Sequence, residues 1–70
     1  MDFAKWFAQR FRDLRNSEGM TQSEYAEISG IGIATVERIE RGRTMPNIRT
    51  CLLIAQTFGM TLSELFEEYI

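Results

Sequence analysis

Residues 29–42 read Ser-Gly-Ile-Gly-Ile-Ala-Thr-Val-Glu-Arg-Ile-Glu-Arg-Gly, and this stretch decides the fold. A tight turn, Gly30-Ile31-Gly32, opens into a short helix that stops at Gly42. Isolated helices under about 12–15 residues are marginal in water, so a segment from 33 to 41 is helical only if neighbours hold it. Val36 and Ile39, three apart, supply the face to be held. Ile33, Ala34, Thr35, Glu37, Arg38 and Arg41 are left outside. A short helix fixed along one face and bare along the other is built to touch something.

The neighbours on either side are as sharply punctuated. Thr21-Gln22-Ser23-Glu24 and Thr61-Leu62-Ser63-Glu64 are capping boxes, in which a Thr hydroxyl and a Glu carboxylate satisfy each other's backbone amides. Asn47, after Pro46, caps a helix from 48, and Gly32 is a weaker cap for the helix at Ile33. Gly19, Gly30, Gly42 and Gly59 sit where helices should stop. Five helices are expected, near 2–16, 22–29, 33–41, 48–58 and 62–69. Their apolar stripes are Phe3, Phe7, Phe11 and Leu14, with Trp6 beside them; Val36 and Ile39; Ile48, Cys51, Leu52, Ala55 and Phe58; and Leu62, Leu65 and Phe66. No segment alternates as a strand does, so the fold class is all-α with short connections. The expectation is one domain over 1–70, with two short helices joined by a glycine-bearing turn across 22–41, the layout of a helix-turn-helix. Ala26 is small enough to let those two helices approach closely.

Composition narrows the chemistry. The chain of 70 residues has no histidine and one cysteine. Cys51 has no histidine base and reads as a small core residue. A metal site lacks ligands, a disulfide framework lacks partners, and Gly30-Ile31-Gly32 lacks the strand and third glycine of a nucleotide loop. Neither enzymatic activity nor a cofactor is expected. No apolar run approaches the roughly 18 residues that span a bilayer, and no secretory pattern opens the chain, so the expected place is the cytoplasm. No small-molecule ligand is evident. The net charge is −2, yet residues 31–50 carry +2 and residues 51–70 carry −3. Seven of the eight basic residues are Arg, whose planar fork suits phosphate and base edges.

Thr21-Gln22-Ser23-Glu24-Tyr25-Ala26, Gly30, Val36, Ile39-Glu40-Arg41-Gly42-Arg43, Pro46, Ile54-Ala55 and Leu62-Ser63-Glu64-Leu65-Phe66 together resemble the Cro and phage-repressor type of helix-turn-helix domain. The pattern covers roughly residues 10–68. The resemblance implies a lambda-repressor-like bundle of five helices that binds double-stranded DNA as a transcriptional regulator, acting as a repressor and as a homodimer on an inverted repeat. It implies base reading by Ile33, Ala34, Thr35, Glu37 and Arg38. It implies phosphate contacts from Gln22, Arg41, Arg43, Thr44 and Asn47, and an ion pair of Arg15 with Glu40 that ties the first helix to the third. The last helix would supply the dimer contact through Phe66, Tyr69 and Ile70.

The residues themselves leave alternatives beside several of these roles. Gln22 also reads as an exposed early helical residue, with the phosphate contact the expected role. Arg41 and Arg43 also offset a helix dipole. Asn47 has a cap to make, and that is its expected job. Glu37 accepts from cytosine N4 or orients Arg38 or Arg41, and the orienting role is expected. Phage members carry Gln at the positions of Ile33 and Ala34; here those residues have only methyl groups to offer, which suit thymine methyls, while Arg38 has the fork for guanine N7 and O6. The competing class is a protein-interaction module on the same scaffold, favoured by the acidic net charge and the partly apolar face.

Overall fold

Local capping sets nearly every helix boundary in the structure, a computed structural model that describes residues 2–69. Five helices follow in order: α1 (Phe3–Ser17), α2 (Gln22–Ser29), α3 (Ile33–Arg41), α4 (Ile48–Thr57) and α5 (Leu62–Leu65). There is no strand among the described residues. Asp2 lies just outside α1 because its carboxylate accepts from the Ala4 amide at 3.0 Å. Both capping boxes close, with Thr21 bound to Glu24 and Thr61 to Glu64 through amide–side-chain bonds of 2.8 and 3.1 Å in each. The four expected stop glycines all have positive φ. Gly42 has a second reason to be glycine: a Cβ there would lie 3.3 Å from the Lys5 Cα, so α3 ends directly against α1.

The core lies between α1, α2, α3 and α4, closed at one end by α5. Phe7, Phe11, Tyr25, Val36, Ile54 and Leu65 are its largest fully buried side chains. Tyr25 stands edge-on to Phe11, with ring centres 4.9 Å apart, and stacks on Phe58 at 5.2 Å. Its hydroxyl shares a 2.6 Å hydrogen bond with Thr57 Oγ1, so the polar end of a buried ring is satisfied. Burial still pushes the Tyr25 phenol up, against the opposing effect of Thr57.

Two expectations change in three dimensions. The spacing predicts a fifth helix to 69, but α5 ends at Leu65. Arg10 of α1 reaches across to donate from Nε to the Leu65 carbonyl at 3.1 Å and from Nη2 to the Glu64 carbonyl at 2.9 Å. Beyond Leu65 the chain continues in tighter turns, Glu67 N to Glu64 O at 3.3 Å and Tyr69 N to Phe66 O at 3.1 Å, while Arg10 caps carbonyls at the end of α5. The fourth helix is apolar nearly all round, so its spacing does not choose a face. Packing against α2 and α5 buries Cys51, Ile54 and Ala55, and leaves Ile48 62% and Leu52 45% exposed. Burial also pushes the Cys51 thiol up, consistent with an inert core residue.

Candidate nucleic-acid interface

The turn between α2 and α3 is built from three residues with three jobs. Gly30 is left-handed at φ 78°, and its amide closes α2 on the Ala26 carbonyl at 3.0 Å. Ile31 turns inward and is buried. Gly32, extended, starts α3 by accepting from the amides of Thr35 and Val36 at 3.0 and 3.1 Å. The inner face of α3 then packs through Val36 and Ile39 on α1 and α2.

Glu40, on that same inner side, is the buried charged residue among those described, 8% exposed. Arg15 meets its carboxylate with Nε to Oε2 at 2.7 Å and Nη2 to Oε1 at 3.0 Å. A third Arg15 bond, from Nη1 to the Met20 carbonyl at 2.7 Å, fixes the loop that leads into α2. Burial alone would raise the Glu40 carboxyl. The Arg15 hydrogen bond, the Gln22 side chain and the charges of Arg15 and Arg12 outweigh it and hold Glu40 below its ordinary value. Bonding to Glu40 in turn raises Arg15, so both stay ionised. Gln22, the first residue of α2, is half-buried, so its side chain does not stand wholly free in solvent.

The outer face of α3 carries Ile33, Ala34, Glu37, Arg38 and Arg41, all exposed, with Ile33 at 41%. Thr35 is half-buried. Arg43, Thr44 and Asn47 follow on the exposed loop. Among the described residues Arg38, Arg41 and Arg43 have no carboxylate partner, so their forks are available. Among the described residues Glu37 forms no ion pair with Arg38 or Arg41. Asn47 Oδ1 is occupied as the α4 cap, accepting from the Thr50 amide at 2.9 Å, which leaves only its NH2 group to face a phosphate.

Phe66 and Tyr69 join Phe3 and Trp6 in an aromatic cluster, with the Phe3 and Tyr69 rings 4.6 Å apart. Ile70 lies outside the described residues. A groove of about 430 Å³ between the end of α1 and α2 carries Glu18, Glu24 and Glu27, a sign of charge that repels nucleic acid. No group of three or more metal-ligating side chains occurs among the described residues, and none of their helices is long and apolar enough to cross a membrane.

Two arginines take roles that the sequence does not assign them. Arg12 donates from Nη2 to the Glu40 carbonyl at 2.8 Å and stands 3.5 Å from the Glu40 carboxylate. Its place three residues before Arg15, on the same helix face, is a usable signal. Arg10 gives none, because its partners lie 54 and 55 residues away.

A family model for helix-turn-helix domains matches residues 11–65. The HTH-type transcriptional regulator DdrOP3 of Deinococcus deserti is 34% identical over 59 residues, which are 84% of this chain and 46% of that protein. The transcriptional repressor RstR of a cryptic phage CTXphi, from Vibrio cholerae, is 31% identical over 62 residues, covering 89% of this chain and 56% of the repressor. This chain thus spans only about half the length of either. A crystal structure of an HTH_3 family transcriptional regulator from Vibrio cholerae superposes with a TM-score of 0.83 at 30% identity, covering 94% of this chain and 37% of that one. Glycine-bearing turn, anchored α3 and sequence likeness agree, and the chain belongs to the HTH_3 helix-turn-helix family.

Proposed function

We propose that this chain is a sequence-specific repressor that binds double-stranded DNA as a homodimer on an inverted repeat. The observation that carries the reading is the outer face of α3 and the loop after it: Arg38 and Arg41 on the helix and Arg43 beyond it are exposed and, among the described residues, without a carboxylate partner, while the inner face of the helix is buried and clamped. Arg38 reads guanine through N7 and O6, and Ile33 and Ala34 pack on thymine methyls in the major groove. Thr35 and Glu37 complete the reading face. Arg41, Arg43, Thr44 and the free NH2 of Asn47 hold phosphates. Gln22 sits at the start of α2, where helix amides already favour an anion, and contacts phosphate there. Phe66 and Tyr69, with Phe3 beside them, form the dimer seam, which would set two α3 helices about 34 Å apart, one turn of DNA.

The test is selection of binders from a random pool of duplex DNA, followed by a salt series on the winners. An inverted repeat with half-sites one turn apart is expected. With about eight phosphate contacts, log affinity falls against log salt with a slope near −7. Absence of enrichment at low salt, with the protein folded, would overturn this reading in favour of a protein-interaction module, for which the exposed Ile28 and Ile33 would be the first surface to probe.

A further inference from the structure

Arg12 holds both ends of one residue. Its Nη2 donates to the Glu40 main-chain carbonyl at 2.8 Å, its Nε lies 3.5 Å from Glu40 Oε1, and its Nη1 is steadied by Gln9 Oε1 at 3.3 Å. Arg15 binds only the carboxylate of Glu40, which can swivel on its own side-chain bonds. The Glu40 carbonyl is among the last four of α3 and has no acceptor role within that helix. Arg12 is therefore the side chain that grips the backbone of α3, at its C-terminal end.

The leverage of that grip is large. Ile33 lies seven residues from Glu40, about 10 Å along the helix at about 1.5 Å per residue, so a swing of about 10° at Glu40 moves Ile33 by about 2 Å. A binding constellation has to be held within about 0.5 Å of its working geometry. The Arg12 side chain is 38% exposed, and a half-exposed pair of this kind adds little to overall stability. Its contribution to geometry thus exceeds its contribution to folding.

We propose that Arg12 is a positioning residue for sequence readout: without touching a base, it fixes the tilt of α3 by clamping the Glu40 carbonyl and carboxylate to α1. The proposal rests on the DNA-binding reading above. It places a specificity determinant on α1, outside the helix-turn-helix.

The experiment compares the full chain with Arg12→Gln and Arg12→Lys. Each is titrated onto the selected operator and onto a scrambled duplex of equal length over a salt series, at a temperature where circular dichroism shows each fully folded. For Arg12→Gln we expect operator affinity to fall about tenfold, the size of one good base-edge interaction. Affinity for the scrambled duplex and the salt slope stay unchanged. Arg12→Lys keeps the charge but has no fork to span carbonyl and carboxylate, so it behaves like Arg12→Gln. Amide exchange at Ile39–Arg41 rises in both variants while that of α4 does not.

Equal weakening on both duplexes, with a salt slope shallower by about 0.9 for each phosphate no longer neutralised, would make Arg12 a direct phosphate ligand and overturn the proposal. So would operator affinity matching the parent, or full rescue by Arg12→Lys. If the unaltered chain itself cannot tell operator from scrambled duplex, the DNA-binding reading fails and this proposal falls with it. If the parent discriminates and Arg12→Gln discriminates as well, only the assignment of Arg12 fails.

Discussion

Arg15 and Glu40 clasp each other through two hydrogen bonds of 2.7 and 3.0 Å, joining α1 to the inner side of α3. The arrangement is the two-pronged one that only a guanidinium can make with a carboxylate. Glu40 is 8% exposed, so removing either partner strands the other charge away from water. Glu40→Ala is expected to cost about 3–5 kcal/mol. A chain of 70 residues has only about 3–10 kcal/mol in total, so that variant should lose about a third or more of its stability. Chemical denaturation monitored by circular dichroism at 10 and 37 °C checks this, and a midpoint within experimental error of the parent's would refute it.

The same pair gives the protein an acid limit. Against the push of burial, Arg15, Gln22 and Arg12 hold the Glu40 carboxyl below its ordinary value. A carboxyl whose folded value is depressed contributes stability above the unfolded value of about 4.3, and that contribution drains away as pH falls through the folded value. Melting temperature from pH 6 to pH 3 should therefore drop more steeply for the parent than for Glu40→Gln. Parallel curves would mean that Glu40 does not carry the effect.

Arg38 and Arg43 should separate on DNA. Arg38→Ala relaxes preference at one base pair per half-site, costing about 1–3 kcal/mol on the preferred sequence. Arg43→Ala weakens all sequences alike and lowers the salt slope by about 1. Competition binding on a panel of single-base operator variants distinguishes the two. A uniform loss from Arg38→Ala would remove it from the reading face.

Gly42 and Gly19 have nearly the same backbone, φ 71° and 69°, but different surroundings. A Cβ at Gly19 meets nothing within 4 Å, whereas at Gly42 it meets the Lys5 Cα at 3.3 Å. Gly19→Ala should cost about 1–2 kcal/mol, the left-handed penalty alone. Gly42→Ala should cost more, because α1 and α3 must also part. Urea midpoints of the two variants, read side by side, measure the close approach, and equal losses would show that it carries no strain.

Phe3 and Tyr69 are 36% and 39% exposed although their rings pack 4.6 Å apart. If this aromatic cluster is the dimer seam, Tyr69→Ala yields a folded monomer by sedimentation velocity, with operator affinity reduced and binding no longer cooperative across half-sites. A variant that sediments like a parent dimer would move the seam elsewhere.

Helix positions are legible in the sequence because their causes are local. Thr21 with Glu24, Thr61 with Glu64, and Asn47 with Thr50 each satisfy amides within three residues, and the turn at Gly30 closes on Ala26 just before it. The helix-turn-helix spacing and the pairing of Arg15 with Glu40 are legible for a different reason, through a motif that the family shares.

Interactions over long stretches of chain decided the rest. Arg10 caps the end of α5 from 55 residues away, which nothing in Leu62–Tyr69 announces. An α4 apolar on several sides acquires its inward face only when α2 and α5 press on it, exposing Ile48 and Leu52. Arg12 grips a main-chain carbonyl that has no letter in the sequence. Capping and spacing are energies between near neighbours, so they are written in the order of residues. The direction of a side chain between two helices depends on how those helices cross, and that exists only once the chain has folded.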